Sequence, residues 1–231
     1  MSETPLATGG MSSGGAITPI KISEPQLDPA DKKVLCSSIC HCKDTPGTGK
    51  DGRSLKQMCV SGALKAKDTA MNHQSPYKPE VNYDMTQTPP APIMDSKVET
   101  KGHSWLPGWI EKYWGSKPEH SDSYKAGKGL VRRPDVVIVN DPGKPPTQDN
   151  IKQVVEIKFP PDGWSKMQKD RYTVISGNAD KLVKLEPDDC DCNKPEPEPT
   201  KIPVKELGAT ATLAGAAAML LRALPVIILA P

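Results

Sequence analysis

The sequence predicts an α+β fold in which helices cover a small sheet, and three observations lead to it. A short apolar run at residues 136–139 and a β-rich run at 153–159 flank a stretch of Pro, Gly, Asp and Asn at 141–150, which reads as a two-stranded hairpin. Trp105, Trp109, Ile110, Tyr113 and Trp114, with Pro107 near the start, read as an aromatic-rich helix whose Trp109 and Tyr113 share a core-facing stripe at i, i+4. The chain has 231 residues but 25 Pro, 18 Gly and a single Phe, so its few apolar segments must pack on one another.

The organisation reads as three regions. Residues 1–95 form a Pro/Gly-rich, Cys-containing N-terminal region. The first 30 or so residues lack both a basic start and an apolar stretch, so no secretory signal peptide is expected and the segment reads as extended or disordered. Gly47-Thr48-Gly49-Lys50 is a turn and not a phosphate loop, because Asp44 stands where the motif needs Gly and Asp51 where it needs Ser or Thr. The Pro-rich stretch 75–95 reads as a linker or as a segment wrapping the core. Residues 96–192 hold the hairpin and the chemistry, and 193–231 combine a stiff Pro-Glu spacer with an apolar tail. From residue 207 that tail carries no charge but Arg222, and three readings stand: a helix and strand packed on the sheet, membrane contact, or a segment held by a partner.

Six cysteines cluster as Cys36, Cys40, Cys42 and Cys59, then Cys190 and Cys192. A Zn²⁺ site drawn from Cys36, Cys40, His41, Cys42 and Cys59 is one reading, though paired Cys-x2-Cys knuckles are missing. Disulfides from the N-terminal cluster to Cys190 or Cys192 are another, and they require an oxidising compartment. Free thiols are the third.

The chemistry concentrates on Asp135, Glu156 and Lys158. On a strand, side chains alternate, so Glu156 and Lys158 share one face while Val155, Ile157 and Phe159 share the other and enter a core. Hard cations take oxygen ligands, and Asp135, Glu156 and the backbone carbonyl of Ile157 make an incomplete shell of the kind Mg²⁺ adopts in phosphoryl transfer. Lys158 then orients the attacking water or steadies charge on phosphorus. The net charge of +2 excludes bulk polycationic binding of nucleic acid. Between residues 128 and 171, however, nine basic residues face six acids. Arg132, Arg133, Lys166 and Lys169 are the candidates for phosphate contacts.

The span from Glu156-Ile157-Lys158 through Pro160-Pro161-Asp162 and Ser165 to Gln168 resembles the VRR-NUC branch of the PD-(D/E)xK nuclease superfamily, whose pattern runs E-V-K-G-P-x-D-x-L-S-x-x-Q. Phe159 stands in place of the usual Gly, and Gly163-Trp164 where Arg-Leu is common. The resemblance covers roughly residues 129–176. It implies a restriction-endonuclease-like fold with a mixed sheet, DNA as substrate, Mg²⁺ (or Mn²⁺) as cofactor, and a helix-borne polar pair on one face, Gln168 acting in catalysis and Tyr172 contacting substrate. A further acid on a preceding helix is implied as well, with Glu111 favoured over Glu119.

A small nuclease with this layout is also similar to antibacterial toxin effectors of type VI secretion. That analogy implies a protein made in a bacterial cytoplasm and delivered without a signal peptide to the cytoplasm of a target cell. It also implies a cognate immunity protein and a secretion-apparatus or chaperone partner. The alternatives are a repair or phage nuclease acting on branched DNA, and a membrane-perturbing protein acting through residues 207–231.

Overall fold

The computed structural model describes residues 25–50, 52, 54–116 and 123–192. The described elements run α1 (Pro29–Cys42), α2 (Leu55–Ala70), β1 (Tyr77–Pro79), β2 (Tyr83–Asp84), β3 (Ala91–Pro92), α3 (Leu106–Tyr113), β4 (Val131–Arg132), β5 (Val136–Val139), β6 (Ile151–Ile157), α4 (Lys166–Ser176) and β7 (Leu182–Leu185). Four of the strands form a mixed sheet in the order β1-β5-β6-β7, in which only β6 and β7 pair in parallel. A smaller antiparallel sheet has the order β3-β2-β4. The fold is α+β, as the sequence predicts.

The predicted hairpin is β5 and β6, with Val136 opposite Val155 and Val137 opposite Val154. Its turn is pinned by one side chain. The Asn150 amide donates to the carbonyls of Asp141 (2.9 Å) and Pro145 (3.0 Å), while its oxygen accepts from the Asp141 N–H (2.9 Å). This long connection therefore has partners for its buried backbone groups, as a packed loop requires.

Strand alternation decides which layer each residue joins. Val136, Ile138, Val155, Ile157 and Phe159 face one side, where Leu35 and Ile39 of α1 and Val60 and Leu64 of α2 cover them. Val137, Val139 and Val154 face the other, against Tyr172 and Ile175 of α4 and Val81 and Tyr83. A sheet covered on both faces explains why β5 and the second half of β6 are buried at every position. Trp109 packs with Trp114, Ile93 and neighbours in a third cluster around α3, and its ring centroid lies 5.9 Å from that of Tyr113.

The helices that frame the sheet have local start and stop signals. Asp28 caps α1 by accepting from Ala30 N–H at 3.0 Å, with Pro29 at the first position. Ser165 caps α4 by accepting from Gln168 N–H. Gly177 ends α4 at φ 75°, and a β-carbon there would also meet Gln148 at 2.8 Å. Part of the Pro-rich stretch 75–95 becomes β1, β2 and β3, so it supplies an edge of the main sheet.

All six cysteines are oxidised: Cys36–Cys190, Cys40–Cys192 and Cys42–Cys59. That overturns the Zn²⁺ and free-thiol readings, since no thiolate remains to ligate an ion. The tail at 207–231 and Glu119 lie outside the described residues. Among the described residues no helix is long and apolar enough to cross a membrane.

Candidate active site

The strand ends bring Asp135 and Glu156 together. Asp135 immediately precedes β5, and its Oδ2 accepts the backbone N–H of Ile157 at 2.7 Å. Glu156, buried near the end of β6, uses Oε1 to accept from Lys158 Nζ at 2.7 Å and from the Gln168 side-chain amide. The chain continues the register beyond the strand, because Lys158 N–H donates to Leu185 O at 3.0 Å. Lys158 therefore lies on the Glu156 side, as alternation requires.

Gln168 and Tyr172 share a face of α4, one turn apart, with Gln168 Nε2 donating to the Tyr172 hydroxyl at 3.3 Å. The Tyr172 hydroxyl in turn donates to the Arg133 carbonyl at 2.9 Å. Tyr172 is buried, so its hydroxyl ties α4 to the segment carrying Asp135 and does not face substrate. This corrects its assignment as a substrate contact. Burial, and then the nearby charges of Glu156 and Asp135, push its phenol well above the ordinary range.

The electrostatics of the strand ends are those of two crowded, buried carboxylates. Burial first, and then the charge of Glu156, push the Asp135 carboxyl up to about 7, against the opposing pull of the Ile157 N–H and Lys158. Glu156 Oε2 is buried without a hydrogen-bond partner. A divalent cation resolves both conditions, so the residues present fit a metal ion. Among the described residues no group of three or more His, Cys, Asp or Glu side chains is arranged to hold one. The residues that would hold one are Asp135 and Glu156, with the Ile157 carbonyl, which accepts from Gln57 Nε2 at 3.3 Å and has a second lone pair.

Glu111 does not complete this set. It is exposed on α3, and the carboxylates whose charge bears on Asp135 are Glu156 and Glu80. Glu80 follows β1 with φ 50°, donates its N–H to the Asp135 carbonyl at 2.9 Å, and pairs with Lys65 and, at 3.5 Å, with Arg133. Burial pushes its carboxyl up, but Lys65 and Arg133 outweigh that and hold it below its usual range. Glu80, Gln57, Asp135 and Ile157 line one small cleft. Neither Glu80 nor Gln57 emerges from the sequence reading. Glu80 sits in a Pro-rich stretch without periodicity, and Gln57 lies on a helix far upstream; the only usable signal is a charged residue directly after a short β run.

The basic candidates lie on the segment before β5 and on the first turn of α4. Arg133 is half exposed beside Glu80. Arg132 Nη2 rests 3.7 Å from Met167 Sδ, and its Nε is buried without a partner. On the first turn of α4, Lys166 pairs with Asp170 at 2.8 Å and Lys169 Nζ lies 5.0 Å from the centroid of the Trp164 ring. Phe159, the departure from the family pattern, is buried among the apolar residues under α1 and α2 and serves the core.

Residues 73–181 match the family model of the VRR-NUC domain. Comparison with curated proteins and with solved structures finds no match. The matched span runs from β1 through α4 and holds Asp135, Glu156, Lys158 and Gln168. Helices α1 and α2, strand β7 and all six cysteines lie outside it.

Proposed function

We propose that the VRR-NUC nuclease domain at residues 73–181 is a divalent-metal-dependent DNA endonuclease, with Asp135, Glu156 and the Ile157 carbonyl holding the ion. The observation that carries this reading is the pairing of an orphaned Glu156 Oε2 with an Asp135 carboxyl raised beside it. A bound Mg²⁺ or Mn²⁺ supplies charge neutralisation at the phosphate and a more acidic water. Lys158, fixed by Glu156, presents its ammonium to the phosphate oxygens and the attacking water. Gln168 holds the Glu156 carboxylate in place from α4, and Tyr172 holds the strand that carries Asp135. Arg132, Arg133, Lys166 and Lys169 grip the flanking phosphates. Purified protein should nick plasmid DNA with Mg²⁺ and not with EDTA; equal cleavage in both would remove the metal reading.

Proton competition gives a pH dependence. Asp135 must be ionised to hold a cation, so Mg²⁺ affinity should be full above about pH 7 and fall about tenfold per unit below it. Stability of the ion-free protein runs the opposite way. The folded carboxyl is raised above its ordinary 3.8, so the folded state keeps the proton longer than the unfolded chain does. Its contribution therefore declines as pH rises from the ordinary value to about 7. Calorimetric titration with Mg²⁺ and thermal melts in EDTA, each across that range, check the two slopes.

The biological reading is a delivered antibacterial toxin, supported by the resemblance to type VI effectors. Three disulfides bracing a small domain also suit a protein that passes through an oxidising environment. Expression in a bacterial strain whose cytoplasm permits disulfide formation should be toxic and trigger a DNA-damage response, and Glu156→Ala should relieve both. An immunity protein would cover Asp135, Glu156 and Lys158. Harmless expression of catalytically active protein in a host without such a neighbour would instead favour a repair or phage nuclease.

A further inference from the structure

An indole stands exposed beside the basic face. Trp109 and Trp114 are buried and Trp164 is partly buried, whereas Trp105 is 62% exposed. A lone exposed aromatic needs no explanation. This one, however, is seated. Trp105 occupies the N-cap position of α3, and its backbone N–H donates to His103 Nδ1 at 3.2 Å. A β-carbon at Gly108 would lie 2.1 Å from Trp105 Cε3 and 2.2 Å from Cζ3, so the six-membered ring of the indole rests against the bare backbone of that glycine. Most of the remaining ring surface is open to solvent.

The surroundings match a strand of nucleic acid. Trp105 lines a depression of about 370 Å³ together with Tyr124, Arg132 and Arg133. A second depression of about 260 Å³, bordered by Lys65, Lys101 and His103 and by the carboxylates of Asp68 and Glu80, shares Asn82, Ser104 and Arg133 with the first. An exposed indole thus adjoins Arg132 and Arg133, and an aromatic ring beside cations is the combination that binds single-stranded nucleic acid through base stacking and backbone contacts. Arg132 precedes Asp135 by three residues, at most about 11 Å of extended chain, which corresponds to about three nucleotides at the rise of one DNA strand.

Resting on the nuclease reading, we infer that Trp105 is a stacking platform for an unpaired base of the DNA strand being cut. Bases inside an intact duplex have no free face to offer, so the site selects DNA with unpaired nucleotides near the scissile phosphate. The seat at Gly108 holds the ring in its bound orientation beforehand, which reduces the ordering cost of binding.

The test uses the full chain in EDTA, or a Glu156→Gln background, so that substrate is not consumed. Binding of a fluorescein-labelled oligothymidylate and of a duplex of equal length is measured by anisotropy, with thermal melts as the folding control. Trp105→Ala should weaken single-strand binding about 5- to 150-fold and leave duplex binding within twofold or so, since phosphate contacts are untouched. Trp105→Tyr should recover part of the loss, and tryptophan emission of the parent should be quenched by the oligonucleotide but not in Trp105→Tyr. Unchanged single-strand binding in a folded Trp105→Ala variant, or equal losses for both DNAs, would overturn the inference. Failure of the nuclease reading shows separately, as wild-type protein that cuts no DNA with Mg²⁺.

Discussion

Glu156→Gln should reduce Mg²⁺-dependent cleavage by about three orders of magnitude, since an ion at such a site is worth several kcal/mol at the transition state. The amide keeps the shape of the carboxylate and an acceptor for Lys158, so the fold is expected to survive. Asp135→Asn should be comparably inactive, yet its ion-free form should melt higher than wild type above about pH 7, because it removes a buried negative charge that Glu156 repels. That opposite movement of activity and stability is not what a purely structural carboxylate would produce. Lys158→Ala should be nearly as severe. Gln168→Ala, which only loosens the grip on Glu156, should cost about 10- to 100-fold. Near-normal cleavage by a folded Glu156→Gln protein would remove the proposed site.

Reduction should unfold the ion-free protein at moderate temperature. In the chain-entropy picture a closure spanning 154 residues, Cys36–Cys190, is worth about 5 kcal/mol. Cys40–Cys192 lies four and two positions further along, so once the first bond exists it closes only a small ring, worth about 2 kcal/mol. Cys42–Cys59 spans 17 residues and adds about 3 kcal/mol. Their total is comparable to the whole stability of an ordinary domain. Paired Cys→Ser variants carry the sharper expectation: removing either long-range bond alone costs little, and removing both costs far more than twice as much. A melting temperature that moves by only a few degrees in reductant would contradict this account.

Much of the site was legible because its residues lie within one contiguous span. Alternation placed Glu156 and Lys158 together and sent Val155, Ile157 and Phe159 into a core, and helical spacing joined Gln168 to Tyr172. Glu80 and Gln57 were not legible, because they reach the site from segments 55 and 78 residues before Asp135 whose local pattern carries no trace of it. Glu111 was favoured because a family acid is expected on a helix ahead of the Asp strand. The helix it belongs to turns out to pack Trp109 into a separate aromatic cluster. Disulfides between the N-terminal cluster and Cys190 or Cys192 were among the readings, but the partner of each cysteine was not, since spacing alone does not fix connectivity. The Cys42–Cys59 bond depends on how α1 lies across α2.

Every disulfide has one cysteine on α1, and none has either cysteine inside the matched nuclease span. Once they form, the chain is no longer a line but a set of closed rings, and the largest of them contains the whole nuclease domain. A ring cannot be drawn end-first through a narrow channel as a single extended strand, because the crosslink forces two or more strands to pass abreast. A channel that admits only one extended strand must therefore take this protein before oxidation or after reduction, and any other route must be wide enough for strands abreast or for the folded domain.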